Sequence, residues 1–195
     1  MDTKHQNLPA KRNPVAGTIE LTEFGDFLCP RCPKDRNLLE TVLKQFKDKV
    51  TYSYRHYPNP ASDQSMLAAL AVEAAKRQGH FWSMYNALLT QSPINCHTLV
   101  ELARNLGLDQ LQFLEDLLDD RLHSIVKADW LAGYQSGVGS APTLFVNGHQ
   151  FHGKLTIARL VPVIRFHLSQ SSYPILSTVD QANGIVYWRM GEFGG

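Results

Sequence analysis

The stretch LTEFGDFLCPRCPKD, residues 21–35, decides the fold because it places two cysteines where a strand-like run gives way to a helix-like run. Residues 17–24 are rich in β-branched and apolar side chains and are followed by small and polar residues, which indicates a buried strand. Apolar residues at helical spacing then predict a helix over residues 33–47. The pattern therefore predicts a strand, a turn that carries Cys29 and Cys32, and a helix.

The rest of the chain continues as an α/β protein. Residues 50–57 alternate as a strand does, so the preceding helix is expected to cross over between two parallel strands. Residues 62–137 carry helical patterns only, which predicts an all-helical insertion. Strand character returns at residues 142–146, the pair Asn147–Gly148 signals a hairpin, and a last helix is expected over residues 157–168.

These patterns divide the chain into three parts. Residues 1–16 are predicted to be a flexible N-terminal segment, residues 17–168 a single domain that includes the helical insertion, and residues 169–195 a C-terminal tail. Within the tail, the stretch GIVYW at residues 184–188 is a possible short strand.

Composition excludes several classes of partner. Apolar residues make up 44% of the chain and charged residues 19%, which is ordinary for a globular protein, and the formal net charge is only +1. We therefore expect neither nucleic-acid binding nor attraction to an anionic membrane. No stretch approaches the roughly 18 apolar residues of a spanning helix, and the polar N-terminus does not resemble a signal peptide, so we expect no membrane insertion and a cytoplasmic location.

The cysteine pair has three possible roles: metal binding, packing or redox exchange. A zinc site needs two more ligands, but the only other cysteine, Cys96, stands alone in the helical block, and no suitably spaced histidine pair lies near a cysteine. Packing alone is weaker, because the Pro30–Arg31 pair between the cysteines gives no reason for burial. We therefore expect no metal and favour thiol–disulfide exchange.

Exchange requires a thiolate, which is favoured at a helix N-terminus by unsatisfied N–H groups and by the helix dipole. Cys29 is placed to benefit and is the predicted nucleophile. Pro30 is expected to pre-set φ for the first helical turn, while Arg31 adds a positive charge near the sulfur. Cys32, one turn further on, is the predicted resolving thiol, which attacks the mixed disulfide formed on Cys29.

The motif EFGDFLCPRC, followed by an amphipathic helix, a helical insertion and GVGSAPTLFVNG, resembles the DsbA-like branch of the thioredoxin superfamily from about Thr18 to Leu168. The resemblance implies a thioredoxin-like fold with an inserted all-helical subdomain. It also implies a thiol–disulfide oxidoreductase that acts on protein or peptide thiols and disulfides, exchanges electrons with a redox partner, and needs no cofactor beyond its cysteines.

The resemblance also assigns residues outside the cysteine motif. Pro142 matches a cis-proline that lies against the active-site sulfurs, and the backbone of the residue before it pairs with the bound substrate. That residue is Ala141 instead of the usual threonine or valine, and Ser140 replaces the glycine before it. Ala141 and Pro142, together with Pro30 and Arg31, are therefore the predicted substrate-binding residues.

Glu23 matches the acid that lies beneath the active site in this family, where it would accept the proton of Cys32. In the alternative interpretation, Glu23 faces solvent or pairs with Arg55 on the neighbouring strand. Asp26 is predicted to be a turn residue.

The remaining candidates are predicted to have structural roles. His56 and His80 are not assigned to the site, Phe81, Trp82 and Tyr85 are expected to form core in the helical block, and Cys96 is expected to be semi-buried.

Two other functions remain open. The chain could be a non-catalytic binding or adaptor module on a thioredoxin-like scaffold, of the kind appended to a membrane transporter, or a glutathione-linked isomerase, although such isomerases generally lack the second cysteine. The direction of electron flow is also open. A reducing cytosol favours reductase or isomerase duty, whereas the cation at Arg31 favours the reduced thiolate and hence an oxidant.

Overall fold

The structure, a computed structural model, describes residues 18–171 together with two short strands near the C-terminus. In chain order its elements are β1 (Ile19–Gly25), α1 (Cys32–Phe46), a short 3-10 helix (Lys47–Lys49), β2 (Val50–His56), α2 (Asp63–Arg77), α3 (Phe81–Leu88), α4 (Cys96–Asn105), α5 (Gln110–Leu117), α6 (Asp120–Gln135), β3 (Thr143–Val146), β4 (His149–Gln150), α7 (Ile157–Ser171), β5 (Ser177–Asp180) and β6 (Ile185–Trp188). The α/β order and the all-helical insertion agree with the sequence prediction.

A four-stranded sheet with the order β2-β1-β3-β4 carries the site. Strands β1 and β2 are parallel, whereas β1 and β3, and β3 and β4, are antiparallel. The hairpin between β3 and β4 turns at Asn147 and Gly148, whose φ angles of 49° and 77° are the positive values that a tight hairpin turn requires. The hairpin predicted from the Asn–Gly pair is therefore confirmed.

One face of this sheet packs against α1 and α7. Because side chains alternate along a strand, Ile19, Leu21 and Glu23 share one face of β1. The cluster on this face contains the buried apolar residues Ile19, Leu21, Leu39, Val42, Tyr52, Leu144, Val146, Leu160 and Ile164. Glu23 consequently continues a line of core positions, which removes its carboxylate from water.

The helical insertion has a core of its own that reaches the sheet. The alanine-rich helix α2 is buried along most of its length, and it packs with α3, α5 and α6. Phe27, from the turn before the cysteines, belongs to this helical cluster, and Tyr54 of β2 packs against both clusters. The turn that carries the cysteines is therefore held by both parts of the molecule.

Several boundaries differ from the prediction. Helix α1 begins at Cys32, so Pro30 lies in the preceding turn and Pro33 is the proline of the first helical turn. The expectation that Pro30 pre-sets the first turn of the helix is therefore wrong. Helix α7 continues to Ser171 with Pro162 in its interior.

The short strand expected in the tail is present as β6, and it pairs with β5 in a separate two-stranded sheet. The predicted flexible segment at residues 1–16 lies outside the described residues. No helix in the described part of the chain is long and apolar enough to cross a membrane.

Candidate active site

The two cysteines lie on the turn between β1 and α1. The Cys29 N–H donates to the Asp26 carbonyl at 3.1 Å, and the Cys32 N–H donates to the Cys29 carbonyl at 3.1 Å. Both thiols are free, but Cys29 is partly exposed whereas Cys32, the first residue of α1, is only 3% exposed. The sulfur of Cys29, the outer cysteine, is therefore accessible to a large substrate, whereas that of Cys32, the inner cysteine, is not.

Asp26 anchors this turn. Its carboxylate accepts hydrogen bonds from the Leu28 N–H at 3.0 Å, the Asn59 N–H at 3.1 Å and the Ser65 hydroxyl at 2.9 Å. The prediction of a simple turn residue was incomplete, because Asp26 is buried and joins the cysteine turn to the start of α2. The sequence signal that could have indicated this role is a lone acid directly after a buried strand.

The loop before β3 lies against the outer cysteine. The Ala141–Pro142 peptide bond is cis, in agreement with the expectation, and the Cys29 thiol donates to the Ala141 carbonyl at 3.5 Å. Pro30 and Arg31 are exposed beside Cys29. The structure therefore brings all four predicted substrate-binding residues to one surface around the outer sulfur.

Glu23 is buried beneath this surface, with 2% of its area exposed. The Tyr52 hydroxyl donates to Glu23 Oε2 at 2.5 Å, while Oε1 is buried and has no hydrogen-bond partner among the described residues. Burial raises the pKa of Glu23 to about 7, although the Tyr52 hydrogen bond and the charge of Arg36 act in the opposite direction. Glu23 does not pair with Arg55, which lies 3.4 Å from Asp129.

The inner thiol is strongly disfavoured as an anion. Burial raises the pKa of Cys32 well above the ordinary thiol range, and the nearby charges of Glu23 and Cys29 raise it further, against a hydrogen bond from the Asp26 backbone. Cys32 can therefore become a nucleophile only if a nearby group takes its proton. Glu23, whose pKa is near neutrality, is chemically suited to do so.

A cavity of about 190 Å³ leads from solvent to this acid. It is lined by Glu23, Arg31, Asp35, Leu39, Pro142, Thr143, Leu144, Gln150, Phe151, His152, Gly153 and Leu155. Because one cavity touches Glu23, Arg31 and Pro142, a proton held on Glu23 has a route to water beside the surface where a substrate would lie.

Two residues of the site were not predicted from the sequence. Tyr52 and Tyr54 lie two residues apart on β2 and so share one face, and the pattern VTYSYRH could have indicated a polar group facing Glu23. Arg36 had no local signal, because its surroundings come from β2 and α3. Trp82 and Tyr85, expected to be plain core, contact Arg36 as well.

The remaining candidates lie away from the cysteines or play structural roles. His56 is buried, with Nε2 3.2 Å from Glu73 Oε1, and His80 precedes α3. Cys96 is exposed at the start of α4, so the expectation of a semi-buried thiol is wrong. Within residues 18–171 and the two terminal strands, no group of three or more potential ligands could hold a metal.

Comparisons with known proteins bear on the family and the fold of the chain. A family model described as thioredoxin matches residues 16–165. The Na(+)/H(+) antiporter NhaA 3 of Salinispora tropica is 34% identical over 151 residues, which is 76% of this chain but 23% of the antiporter. The chain thus spans about a quarter of the length of the curated relatives it matches.

Solved structures show the same fold. A thioredoxin-like oxidoreductase from Silicibacter pomeroyi superposes with a TM-score of 0.71 at 22% identity, covering 79% of this chain and 88% of that one. Oxidised BdbD from Bacillus subtilis superposes with a TM-score of 0.70 at 22% identity, covering 80% of this chain and 90% of that one. The family match, the fold and the cysteine turn lead to one assignment: the chain belongs to the thioredoxin family.

Proposed function

We propose that the chain is a thiol–disulfide oxidoreductase that acts on protein or peptide substrates through Cys29 and Cys32. In this proposal Cys29 attacks, Cys32 resolves and Glu23 accepts the proton of Cys32, while Ala141, Pro142, Pro30 and Arg31 contact the substrate. The observation that carries the proposal is the unequal burial of two free thiols, the outer one against the Ala141 carbonyl and the inner one near a buried acid.

The reaction, written in the reducing direction, has two exchange steps. The Cys29 thiolate attacks one sulfur of a substrate disulfide, so a Cys29–substrate disulfide forms and the first substrate thiolate leaves. Cys32 then gives its proton to Glu23, and its sulfur attacks Cys29 Sγ. The Cys29–Cys32 disulfide forms, the mixed disulfide breaks, and the second substrate thiolate leaves and takes a proton from water. The cysteine pair loses two electrons and the substrate disulfide gains them; oxidation of substrates is the reverse.

Two cysteine variants test the assigned roles. In a Cys96→Ala background, Cys32→Ser is expected to attack a peptide disulfide and to remain joined to it, because nothing resolves the mixed disulfide, whereas Cys29→Ser is expected to form no adduct. Intact-protein mass spectrometry detects the adduct. Rapid alkylation of Cys29→Ser at neutral pH combined with an inert Cys32→Ser would reverse the two roles and refute the assignment.

A second candidate function is a non-catalytic module attached to a transporter, and the similarity to antiporters that are much longer than this chain favours it. Thiol counting separates the two functions. In a Cys96→Ala background, which removes the exposed third cysteine, an oxidoreductase is expected to show about two thiols when reduced and none after mild oxidation, both counted after unfolding in denaturant, and to reduce insulin. Failure to form the disulfide or to reduce insulin would favour the module.

The direction of electron flow and the cytoplasmic location are proposals that rest on the sequence alone. They are linked, because a reducing compartment draws electrons into the cysteine pair and favours donation to substrates. Equilibration of the protein with glutathione buffers measures the reduction potential: a value below that of the cytosolic pool supports a reductase, and a value well above it supports an oxidant.

A further inference from the structure

We propose that Arg36 and Tyr52 are positioning residues that keep the Glu23 carboxyl able to accept the proton of Cys32 near neutral pH. This inference rests on the proposed function, in which Glu23 takes that proton. It concerns two side chains that do not touch the reacting sulfurs and act through Glu23.

The first observation is the cage of aromatic rings around Arg36. The Arg36 guanidinium carbon lies 5.4 Å from the ring centre of Tyr52, 5.2 Å from that of Trp82 and 5.2 Å from that of Tyr85. The rings also contact one another, with centroids 5.8 Å apart for Tyr52 and Trp82 and 5.2 Å apart for Trp82 and Tyr85. Helix α1 therefore inserts a cation between β2 and α3, where cation–π attraction holds it.

The second observation is that this cation is poorly neutralised. Arg36 Nη1 is buried without a hydrogen-bond partner among the described residues, and Nε lies 3.2 Å from Oε1 of Glu40, whose side chain is 38% exposed. Water screens this pair only from the side of Glu40, because the Arg36 side chain is 13% exposed. The charge of Arg36 thus remains available to act on the buried carboxyl of Glu23, and it does so in the direction that favours the anion.

Tyr52 links the cage to the acid. Its hydroxyl donates to Glu23 Oε2 at 2.5 Å while its ring lies beneath the guanidinium. The hydrogen bond fixes one carboxylate oxygen and leaves Oε1, which has no partner in the described part of the chain, as the atom that can take a proton. Tyr52 therefore both orients the carboxyl and stabilises its charged form.

The groups that act electrostatically on Glu23 come from three elements, α1, β2 and α3. They are Asp35, Arg36 and Cys32 on α1, Tyr52 and Tyr54 on β2, and Tyr85 on α3. Of these six, only Arg36 is a cation, and Asp35 acts in the opposite direction. Without Arg36, only the Tyr52 hydrogen bond would oppose the effect of burial, and the pKa of Glu23 would rise.

The test measures the ionisation of Glu23 directly. Carboxyl carbon chemical shifts are followed with pH in the oxidised protein, where Cys29 and Cys32 are joined and no longer titrate. Arg36→Met, which keeps a long apolar side chain in the cage, and Tyr52→Phe, which removes one oxygen, are each expected to move the Glu23 midpoint upward by about one pH unit or more. Arg36→Lys should stay closer to the unmodified protein, and Arg104→Met, at an exposed arginine of α4, should not move it.

A second measurement asks whether the effect passes through Glu23. The pH profile of turnover on a small disulfide is expected to shift upward in Arg36→Met and Tyr52→Phe, but Arg36→Met should cause no shift in a Glu23→Gln background. A purely structural role of Arg36 would change the rate without moving the profile, or would act equally in both backgrounds.

The outcomes separate the two proposals. An unmoved Glu23 midpoint in folded Arg36→Met and Tyr52→Phe, or a profile shift that persists in the Glu23→Gln background, would overturn the inference. If Glu23→Gln alone leaves the profile of the unmodified protein unchanged, proton acceptance by Glu23 fails, and the catalytic part of the inference fails with it. A moved carboxyl midpoint would still support the electrostatic part. Tyr52→Phe keeps the test possible if Arg36→Met does not fold.

Discussion

At the scale of single residues, the site depends on how far each ionisable group lies from water. Glu23, Cys32 and Tyr52 are all buried, and burial raises the pKa of each. Cys29 and Arg31 lie at the surface only a few residues away. The four-residue motif therefore joins an accessible thiol to a buried one within a single turn.

The charge of Arg31 can be tested through the reactivity of Cys29. Arg31→Glu places a negative charge beside the outer sulfur and is expected to slow its alkylation at neutral pH by about three- to tenfold, since a screened charge interaction at short range is worth about 1 kcal/mol. Lys34→Glu makes the same change one turn further along α1 and should have a smaller effect. Equal rates for Arg31→Glu and the unmodified protein at low salt would show that the arginine is incidental.

Glu23 also makes stability depend on pH. Its pKa rises from 4.5 in the unfolded chain to about 7 in the fold, so the folded state holds a proton that the unfolded state releases, and stability falls as pH rises through this window. Glu23→Gln carries no charge at any pH. We subtract the free energy of unfolding of the unmodified protein from that of Glu23→Gln. This difference should be larger at pH 8 than at pH 4, by up to about 3 kcal/mol.

Urea unfolding of both proteins at the two pH values measures this difference. Comparing the pair cancels the contributions of all other carboxylates. A difference that is the same at pH 4 and pH 8 would mean that Glu23 is not desolvated in the fold.

At the scale of elements, α6 packs unusually closely on the back of the sheet. A Cβ built on Gly133 would lie 2.8 Å from both Phe24 Cδ1 and Tyr57 Cδ2, closer than real Cβ atoms approach other heavy atoms. The Tyr57 hydroxyl donates to the Val138 carbonyl at 2.7 Å, which fixes the start of the loop that leads to Ala141. The close approach at Gly133 thus positions the loop beside Cys29.

Gly133→Ala is expected to destabilise the protein by about 1–2 kcal/mol. The overpacking costs about 1–3 kcal/mol, and the better helix propensity of alanine offsets up to about 1 kcal/mol of it. Urea unfolding of Gly133→Ala is compared with Gly139→Ala, where a Cβ meets no atom within 4 Å and little change is expected. A stabilised Gly133→Ala would show that the neighbouring rings move aside freely.

The elements were largely predictable from the sequence, because each carries a local pattern. The alternation of β1 placed Glu23 on the face of Leu21, and the Asn147–Gly148 pair fixed the hairpin. What could not be predicted depends on contacts between distant elements. The aromatic cage around Arg36 arises from packing against β2 and α3, and no local pattern encodes these contacts.

At the scale of the whole molecule, β2 joins the sheet to the helical insertion. Tyr54 packs against both hydrophobic clusters, and the next inward position, His56, points into the helical cluster and contacts Glu73 of α2. Burial acts to raise the pKa of Glu73, but the hydrogen bond and charge of His56 together with the charge of Lys76 outweigh it, and the pKa is lowered. A buried contact between His56 and Glu73 therefore connects the two parts.

This pair predicts that the sheet and the helical insertion unfold together. Glu73→Leu leaves His56 buried without its partner and is expected to cost about 3 kcal/mol of unfolding free energy, whereas the double variant with His56→Leu should cost clearly less than the sum of the two single changes.

Because the folded-state pKa of Glu73 is lowered, its contribution to stability is present at neutral pH and is lost as pH falls below the ordinary glutamate value. Glu101→Leu, at an exposed pair on α4, should change stability little. Urea transitions followed by tryptophan fluorescence and by far-ultraviolet circular dichroism should coincide, and separate transitions or fully additive single variants would show that the pair does not couple the two parts.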